Sequence, residues 1–563
     1  MANLDPIWNK QIKEFDRALD PLGVNKVNDR MMNELLRGIT TLTSRARYYS
    51  FYVWAIDQIR KNKLASTHTQ FYRAFTDMER IFMLSCVSHT EEELEKNHND
   101  VNGTSKGTKI WEETTGKIPL DFTYFGHRLG GYGQYYAGSI NQLGLIEQLE
   151  NDEFERLTQL GEKIIEPFDR IAKQTKFLSL LGKNSASKES IKEIGAKLCL
   201  CKLKDQEANE KHLLQKLFFS EIGNDDRGAI FRKESLTLFL SIIQQAKEKN
   251  MKVDAQSFLS ACYFNQIKED GKTLEINIPT KLSDVTDKWK IVKAHDNLAY
   301  TLESILQCFL QFIKTKSGAS LAEFFETIFS DKLQKEINSL INKTDSKNDI
   351  LDNNIKDVLE LIISSNLQDA NFSDIEKTSE DFDKKTSTLS KVNEHNCTKN
   401  IEDELKTKNP DISKIVANGI FLVLISASRM FWRSTQKTPA WTWLSNLERQ
   451  DINIKEFCSE IKSEFESGQT SFKEFIISFI EKRVIDQHQI IYRHKLRNNS
   501  NPKNFFDKEG NNYVQVREYK ARHRNIRFES VVSLLNDLNF VNQSDILECT
   551  IEGVKTIKRN TGS

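Results

Sequence analysis

The fold is decided by two stretches separated by a short polar gap, Leu143-Gly144-Leu145-Ile146 and Leu157-Thr158-Gln159-Leu160-Gly161. The residues before the first stretch have helical character, and the gap around Asn151 can turn a hairpin. Thr158 is a good N-cap for a second helix, and Gly161 in its first turn allows close packing. The pattern therefore predicts a helix, a two-stranded hairpin and a return helix.

The same pattern returns near the other end of the chain. It reads Leu538-Asn539-Phe540-Val541 and then Cys549-Thr550-Ile551-Glu552-Gly553, with the same Thr-x-x-Gly spacing. Both copies resemble the C-terminal half of winged-helix domains, where a Leu-Gly-Leu-Ile stretch precedes the wing and a Leu-Thr-x-x-Gly stretch follows it. The resemblance implies one or two small winged-helix-like β-hairpin modules. Because many winged helices are dimerisation or packing modules, it does not by itself imply DNA contact.

The composition favours helices for the rest of the chain. Among 563 residues there are only 8 Pro and 23 Gly, which is few for a protein of many short strands and turns. Apolar residues recur at helical spacing over many segments. Since 563 residues exceed the size at which a single core keeps growing, we expect a mainly α, multi-domain protein.

Changes in composition divide the chain into five expected segments. In chain order these are an N-terminal helical domain that ends in the first winged-helix-like module, a second helical domain, a polar insertion or linker with one helix, a third helical domain, and a basic C-terminal winged-helix-like module. Their bounds are 1–173, 174–341, 342–411, 412–500 and 501–563. Lys, Asn, Asp, Ser and Thr dominate 342–411, which is therefore expected to be solvated.

Two segments bear on localisation. The apolar run 415–431 is short for a membrane span and contains Arg429, so we expect a buried core helix. Residues 1–20 lack the basic and apolar regions of a signal peptide. We therefore expect a cytoplasmic protein with no membrane partner.

Positive charge is concentrated towards the C-terminus, although the chain as a whole is neutral. Lys+Arg and Asp+Glu are each 80, so attraction to nucleic acid must come from local patches. Arginines and lysines at high density neutralise phosphates and release counterions. The residues of this region expected to contact phosphate are Arg517, Lys520, Arg522, Arg524, Arg527, Arg493, Lys495 and Arg497. A solvated face, or contact with acidic segments of a partner, explains the same clustering equally well.

A second cationic site precedes an aromatic stretch, Tyr48-Tyr49-Ser50-Phe51-Tyr52-Val53-Trp54. Aromatic residues at helical spacing are typical of a core. Arg45 and Arg47 directly before this stretch need partners, because an unpaired buried charge is costly. We expect them either to pair with Asp29 or Glu34 or to bind phosphate.

We find no positive sign of catalysis in the sequence. H-E-x-x-H, G-x-S-x-G, C-x-x-C and Walker-type motifs are absent, and the glycine-rich run 126–138 favours a flexible turn. Among 8 cysteines only Cys199 and Cys201 are close, and such a pair without a nearby His or further Cys is weak support for a metal. We therefore expect no catalytic residue, cofactor or metal.

Three stretches, 19–23, 35–54 and the tail 524–541, are similar to uncharacterised bacterial proteins associated with restriction and phage-defence gene clusters. The resemblance implies a context and no activity. With the basic cluster it leads us to expect a non-enzymatic component of a bacterial defence or restriction system that binds DNA or RNA and other subunits of a defence complex. A protein-interaction scaffold for a neighbouring effector, and a nuclease whose carboxylates meet only in space, are the alternatives.

Overall fold

A computed structural model of the chain describes residues 20–90, 101–123, 126–148, 154–205, 209–223, 225–269, 271–341, 350–447, 453–498 and 503–562. Within these ranges the protein is mainly α-helical with a few small sheets, which confirms the expected fold class. Its contacts define two compact units: unit 1 comprises Met1–Asp29 and Lys290–Arg524, and unit 2 comprises Arg30–Trp289 and Asn525–Ser563. This division differs from five consecutive segments because the chain enters each unit twice.

The helices are, in chain order, α1 (Val24–Leu35), α2 (Arg47–Lys61), α3 (His68–Thr90), α4 (Thr104–Glu113), α5 (Ala137–Gln142), α6 (Gln159–Ala172), α7 (Lys188–Leu198), α8 (Lys202–Asp205), α9 (Asn209–Phe218), α10 (Arg227–Glu248), α11 (Ala255–Phe264), α12 (Ser283–Thr315), α13 (Leu321–Ile328), α14 (Asp331–Leu340), α15 (Ile355–Ser364), α16 (Ile375–Lys385), α17 (Glu394–Leu405), α18 (Ile412–Thr435), α19 (Pro439–Leu447), α20 (Ile454–Ser467), α21 (Phe472–Ile480), α22 (Gln487–Asn498), α23 (Phe528–Asp537) and α24 (Ile551–Thr561). Short 3-10 or π turns cover Tyr132–Tyr136, Leu178–Leu180, Thr280–Leu282, Ile350–Asp352 and Glu481–Asp486.

The strands are short, and all their pairings are antiparallel. They are β1 (Ile118–Pro119), β2 (Ile146–Glu147), β3 (Arg156–Leu157), β4 (Ser185–Ala186), β5 (Gln266–Glu269), β6 (Lys272–Glu275), β7 (Ala319–Ser320), β8 (Phe506–Glu509), β9 (Asn512–Gln515), β10 (Val541–Asn542) and β11 (Glu548–Cys549). Unit 1 holds the three-stranded sheet β7-β9-β8, and unit 2 holds the two-stranded pairs β1-β4, β2-β3, β5-β6 and β10-β11.

Unit 1 is built around α18. Of the helices that the structure describes, α18 alone is long and apolar enough to cross a membrane by length and composition. However, 94% of its most apolar stretch is buried inside the protein. The helices α14, α16, α17 and α20 pack around it. The run 415–431 is thus the buried core helix that its sequence predicts.

The predicted polar insertion is folded onto α18 wherever it is described, and 342–349 lie outside the described residues. Two buried carboxylates from this region meet arginines of α18. Glu394 Oε1 accepts a hydrogen bond from Arg429 Nε at 2.6 Å, and Asp383 Oδ2 accepts one from Arg433 Nη1 at 3.0 Å. All four side chains are almost fully buried. The expectation of a solvated insertion or linker with one helix was wrong. The described part of this region forms three helices, α15, α16 and α17, and its acidic residues Asp383 and Glu394 are partners of buried arginines.

In unit 2, α2 and α7 pack against α3. The aromatic residues of α2 are fully buried, as their helical spacing predicts. The ring of Phe51 stacks on that of Phe82 in α3, with centroids 3.9 Å apart. Tyr48 and Tyr52 stack on each other at 5.0 Å. These contacts fix α3 in the core and leave its opposite face at the surface of the unit.

The predicted helix, hairpin and return helix occurs twice in unit 2. The first copy is α5, β2-β3 and α6, and the second is α23, β10-β11 and α24. The pairs that open the hairpins are Ile146 with Leu157 and Val541 with Cys549. The turn expected around Asn151 lies outside the described residues.

Both return helices begin with the same threonine cap. Thr158 Oγ1 accepts a hydrogen bond from the Gly161 N–H at 3.1 Å, and Thr550 Oγ1 accepts one from the Gly553 N–H at 3.2 Å. Each glycine lies directly against the carbonyl oxygen of the residue that leads into the first strand. A Cβ at either glycine would collide with that oxygen, so the glycines permit the close packing predicted from the sequence.

Candidate nucleic-acid interface

Half of the cations predicted to contact phosphate are buried. They are Arg45, Arg47, Lys495, Arg524 and Arg527, each less than one tenth exposed. The other half are exposed and all lie in unit 1: Arg493, Arg497, Arg517, Lys520 and Arg522. The two groups therefore have different roles.

Arg45 and Arg47 are held by carboxylates of unit 2. Arg45 Nε lies 2.9 Å from Asp537 Oδ2. Arg47 donates to both carboxylate oxygens of Glu210, at 3.3 and 3.0 Å, and to the Cys199 carbonyl at 2.7 Å. These partners replace the nearby Asp29 and Glu34 that we had expected. Since both guanidiniums are buried and paired, they do not form the predicted phosphate site.

The prediction is also corrected for the buried cations of the C-terminal cluster, because each of them has a partner within its own unit. In unit 1, Arg524 Nη2 donates to Glu303 Oε2 at 2.5 Å, and Lys495 Nζ donates to the Asp20 carbonyl at 2.6 Å. In unit 2, Arg527 donates to backbone carbonyls. Each side chain is used to hold its own unit together, which removes it from the set that can reach a phosphate.

The exposed cations of 516–524 project from an extended segment whose backbone is fixed to α12. The Ala521 N–H donates to Gln307 at 2.9 Å, and the Arg522 N–H donates to Glu303 at 3.3 Å. Tyr519 is buried against Phe505, with ring centroids 5.3 Å apart. Arg517, Lys520 and Arg522 therefore point outward from a rigid ribbon.

His295 and Asp296, adjacent in sequence, serve separate contacts. His295 Nε2 lies 3.0 Å from the Val24 carbonyl, and burial lowers the pKa of His295 to about 4. Asp296 instead lies 2.8 Å from His523 Nδ1, whose Nε2 lies 3.0 Å from Glu402. Burial opposes the charge on His523, but Asp296 and Glu402 raise its pKa overall. Asp296 is buried, His523 and Glu402 are half-buried, and their contacts tie the segment around His523 to α12.

Unit 2 carries a cationic groove that sequence reasoning missed. Its volume is 660 Å³, within the range typical of ligand sites. The lining residues are His68, Thr69, Tyr72, Arg73, Thr76, Arg80 and Arg128. All but the last belong to the surface face of α3.

A loop completes the groove by bringing Arg128 beside α3. The Gly131 N–H donates to both carboxylate oxygens of the buried Glu79, at 3.0 and 3.1 Å. Glu79 also accepts a hydrogen bond from the Tyr52 hydroxyl at 2.5 Å. The glycine-rich run that we expected to be a flexible turn is thus anchored to the core at Gly131, three residues after Arg128.

The charges of the groove are only partly neutralised. Arg80 Nη1 lies 2.9 Å from Asp77 Oδ1. Burial raises the pKa of Asp77, although Arg80 and Arg73 beside it act in the opposite direction. Among the described residues, no ion pair forms with Arg73 or Arg128, and both side chains are exposed. The groove therefore offers two guanidiniums to an anion.

The groove also offers a flat aromatic surface. The ring of Tyr72 is stacked with that of His68, with centroids 6.0 Å apart and an interplanar angle of 27°. Both side chains line the groove. Guanidiniums bind phosphate oxygens in a bidentate manner, and aromatic rings stack on bases. The combination suits a nucleotide chain better than an isolated anion.

Part of this groove has a sequence signal. Arg73 and Arg80 lie seven residues apart, and Thr69 and Thr76 share their helical face, which is a polar stripe on an otherwise apolar helix. Arg128 carries no such signal, because it reaches the groove only through the contact of its loop with the core.

The helices before the two hairpins are poor candidates for reading DNA. In helix-turn-helix folds a helix must expose side chains to enter the major groove. Of the residues in α23, only Glu529 is exposed. In α5 the exposed residues are Gly138 and Asn141, which carry no charge. Both hairpin modules are therefore packing modules of unit 2.

Comparisons with known proteins add no relative: no protein-family model, no curated protein and no solved structure matches this chain.

Proposed function

We propose that the protein binds nucleic acid without catalysing a reaction, and that the groove on α3 receives the phosphate backbone. The observation that carries this proposal is that two exposed guanidiniums, Arg73 and Arg128, share one groove with the stacked rings of His68 and Tyr72. Thr69 adds a hydroxyl donor for a phosphate oxygen, whereas the Thr76 hydroxyl donates to the Tyr72 carbonyl at 2.6 Å.

Backbone contact is favoured over base reading. The cations of the groove are arginines on a helix and a loop, and phosphate contacts of this type position a strand without selecting its sequence. Stacking on Tyr72 is also tolerant of sequence, because every base has an aromatic face. We therefore propose binding of single-stranded or distorted nucleic acid with little sequence preference.

The exposed cations of unit 1 supply a second contact surface in this proposal. Arg517, Lys520 and Arg522 project outward from the extended segment 516–524. Arg493 and Arg497 are exposed on α22. Among the described residues none of the five forms an ion pair. Because their backbone is already ordered, binding of phosphate costs only the rotamer freedom of these side chains.

The similarity of 35–54 to proteins of defence gene clusters leads us to propose a setting for this activity. The protein would be a non-catalytic, nucleic-acid-binding component of a bacterial defence or restriction system. The stretch 35–54 itself is structural, since Arg45 and Arg47 within it are buried and paired.

A charge-reversal experiment tests the proposal. The double variant Arg73→Glu/Arg128→Glu is compared with Lys249→Glu/Lys252→Glu, which makes the same change in charge at exposed positions of unit 2 outside the groove. Fluorescence anisotropy with labelled single-stranded DNA, duplex DNA and RNA measures the affinity. We expect the groove variant to bind at least about tenfold more weakly than wild type, because a charge-assisted contact contributes about 1.5–3 kcal/mol. Equal loss in both variants, or no binding by wild type, would contradict the proposal and favour a protein-interaction scaffold.

A further inference from the structure

Three metal-ligand side chains meet where α3 and α7 end. His89 Nδ1 and the sulfurs of Cys199 and Cys201 all lie within 4.8 Å of one another. The distance from Cys201 Sγ to His89 Nδ1 is 3.3 Å. His89 and Cys199 are buried, and Cys201 is half-buried. The two cysteines thus have the neighbouring histidine that their sequence spacing did not reveal.

A fourth ligand stands one turn before the histidine. Cys86 and His89 are three residues apart on α3, so they share a face of this helix. The Cys86 thiol interacts directly with the Cys199 thiol as a hydrogen-bond partner. The set is therefore C-x-x-H from a helix and C-x-C from a turn, which is three sulfurs and one imidazole.

Close packing of two helices brings these pairs together. A Cβ at Gly195 of α7 would collide with the carbonyl oxygen of Ser85 in α3, so the helices touch backbone to backbone at this point. α7 ends at Leu198, and the Lys202 N–H donates to the Cys199 carbonyl at 3.0 Å to close a turn. This turn places both cysteine side chains beside the end of α3.

Arg47 holds the same turn from the other side. Its Nη1 donates to the carbonyls of Cys199 at 2.7 Å and Lys197 at 3.3 Å. The guanidinium is fully buried and paired with Glu210. These contacts fix the backbone of the turn that carries both cysteines.

We propose that Cys86, His89, Cys199 and Cys201 bind a structural Zn²⁺ ion. Zinc prefers four sulfur and imidazole ligands in a tetrahedron, with Zn–S about 2.3 Å and Zn–N about 2.0–2.1 Å. Such a tetrahedron separates ligand atoms by about 3.6–3.8 Å, and the ligand atoms of His89, Cys199 and Cys201 already lie within 4.8 Å of one another. In the proposed site a rotation of the Cys86 side chain adds its sulfur as the fourth ligand. Binding releases the three thiol protons to solvent, and all four positions are filled by the protein, which leaves no site for catalysis.

Metal content tests this proposal directly. Full-length protein is expressed in medium that contains zinc, kept reduced and freed of loosely bound metal. Its zinc content is then measured by inductively coupled plasma mass spectrometry. We expect one Zn²⁺ per chain in wild type and in Cys262→Ala, a control that removes a buried cysteine elsewhere in unit 2. We expect its loss in Cys201→Ala and His89→Ala. Retention of zinc in both of these variants would overturn the assignment.

A second readout decides the question even if a variant folds poorly. Wild-type protein stripped of metal is titrated with Co²⁺, which takes the same site. We expect thiolate-to-cobalt charge-transfer absorption together with the strong visible bands of tetrahedral cobalt, both reversed by added zinc. Wild type that holds no zinc as purified and shows no such cobalt spectrum would overturn the proposal.

Discussion

Asn539 and Gly144 occupy equivalent positions in the two helix–hairpin–helix modules and share a left-handed backbone, with φ of +60° and +70°. Each ends the helix before a hairpin, and each carbonyl accepts a hydrogen bond from the threonine that caps the return helix. The distances are 2.7 Å from Thr158 to Gly144 and 2.6 Å from Thr550 to Asn539. The departure from the Leu-Gly-Leu-Ile pattern at Asn539 therefore preserves the geometry, because Asn tolerates this conformation better than other L residues.

This equivalence predicts which residues the position accepts. Asn539→Gly should leave the melting temperature unchanged or raise it slightly, because glycine adopts positive φ without strain. Gly144→Val should destabilise the protein by more than about 1 kcal/mol, the cost of a left-handed L residue. Thermal unfolding followed by circular dichroism measures both. A Gly144→Val variant as stable as wild type would show that the backbone at Gly144 is not constrained.

The glycines of the return helices should tolerate no side chain. In Gly161→Ala and Gly553→Ala the new methyl group would overlap the carbonyl oxygen of Leu145 or Phe540, which is backbone and cannot swing away. We expect destabilisation of about 1–3 kcal/mol, as for overpacking in a core. Gly138→Ala is the control, since a Cβ there meets nothing within 4 Å. It should be neutral or stabilising, because alanine is the better helix former.

The buried pair Arg429–Glu394 in unit 1 should be costly to break. Glu394→Gln leaves the buried Arg429 guanidinium with only the more distant carboxylate of Asp383, whose Oδ1 lies 3.6 Å from Nη1. Removal of one partner of a buried pair costs about 3–5 kcal/mol, and Asp383 places the expected loss towards the lower end. The exposed pair Lys377–Asp381 provides the control, since Asp381→Asn should leave the unfolding midpoint in urea unchanged. Equal stability of Glu394→Gln and wild type would mean that Arg429 finds another acceptor.

His523 should make stability depend on pH. Its pKa is raised, so the folded chain keeps this proton to a higher pH than the unfolded chain, whose histidines have a pKa of about 6.5. The stability gained is therefore full below about pH 6.5 and is lost as the pH rises through the folded pKa, by about 1.4 kcal/mol for each unit of difference.

Urea unfolding from pH 6 to 9 in wild type and His523→Gln measures this contribution, and His494→Gln at an exposed position of unit 1 is the control. The loss of stability towards high pH should be smaller in His523→Gln than in the other two proteins. Parallel curves for all three would exclude a protonated His523 between Asp296 and Glu402.

Local patterns predicted the parts of the fold that depend on neighbouring residues. The spacing of Thr158 and Gly161, and its repeat at Thr550 and Gly553, predicted both modules. Long-range pairing was not predictable in this way. Arg45 meets a carboxylate 492 residues away, so its burial could be anticipated but its partner could not.

The candidate sites were only partly predictable for the same reason, because they depend on contacts between residues far apart in sequence. Five exposed cations were found from charge density alone, but the groove needed Arg128 to arrive from a loop, and the metal cluster needed His89 to meet a turn 112 residues later at Cys201. The prediction that 342–411 is solvated was wrong, because composition does not distinguish a solvated carboxylate from one that is paired inside a core, such as Glu394.

The salt dependence of nucleic-acid affinity tests the central claim most directly. Binding through phosphates releases counterions, so the logarithm of the association constant falls linearly with the logarithm of salt concentration. We predict a steep slope for wild type and a slope smaller by about two for Arg73→Ala/Arg128→Ala, one for each phosphate contact removed. A wild-type affinity that does not change with salt, or an identical slope in the variant, would contradict the claim that this groove binds the nucleic-acid backbone.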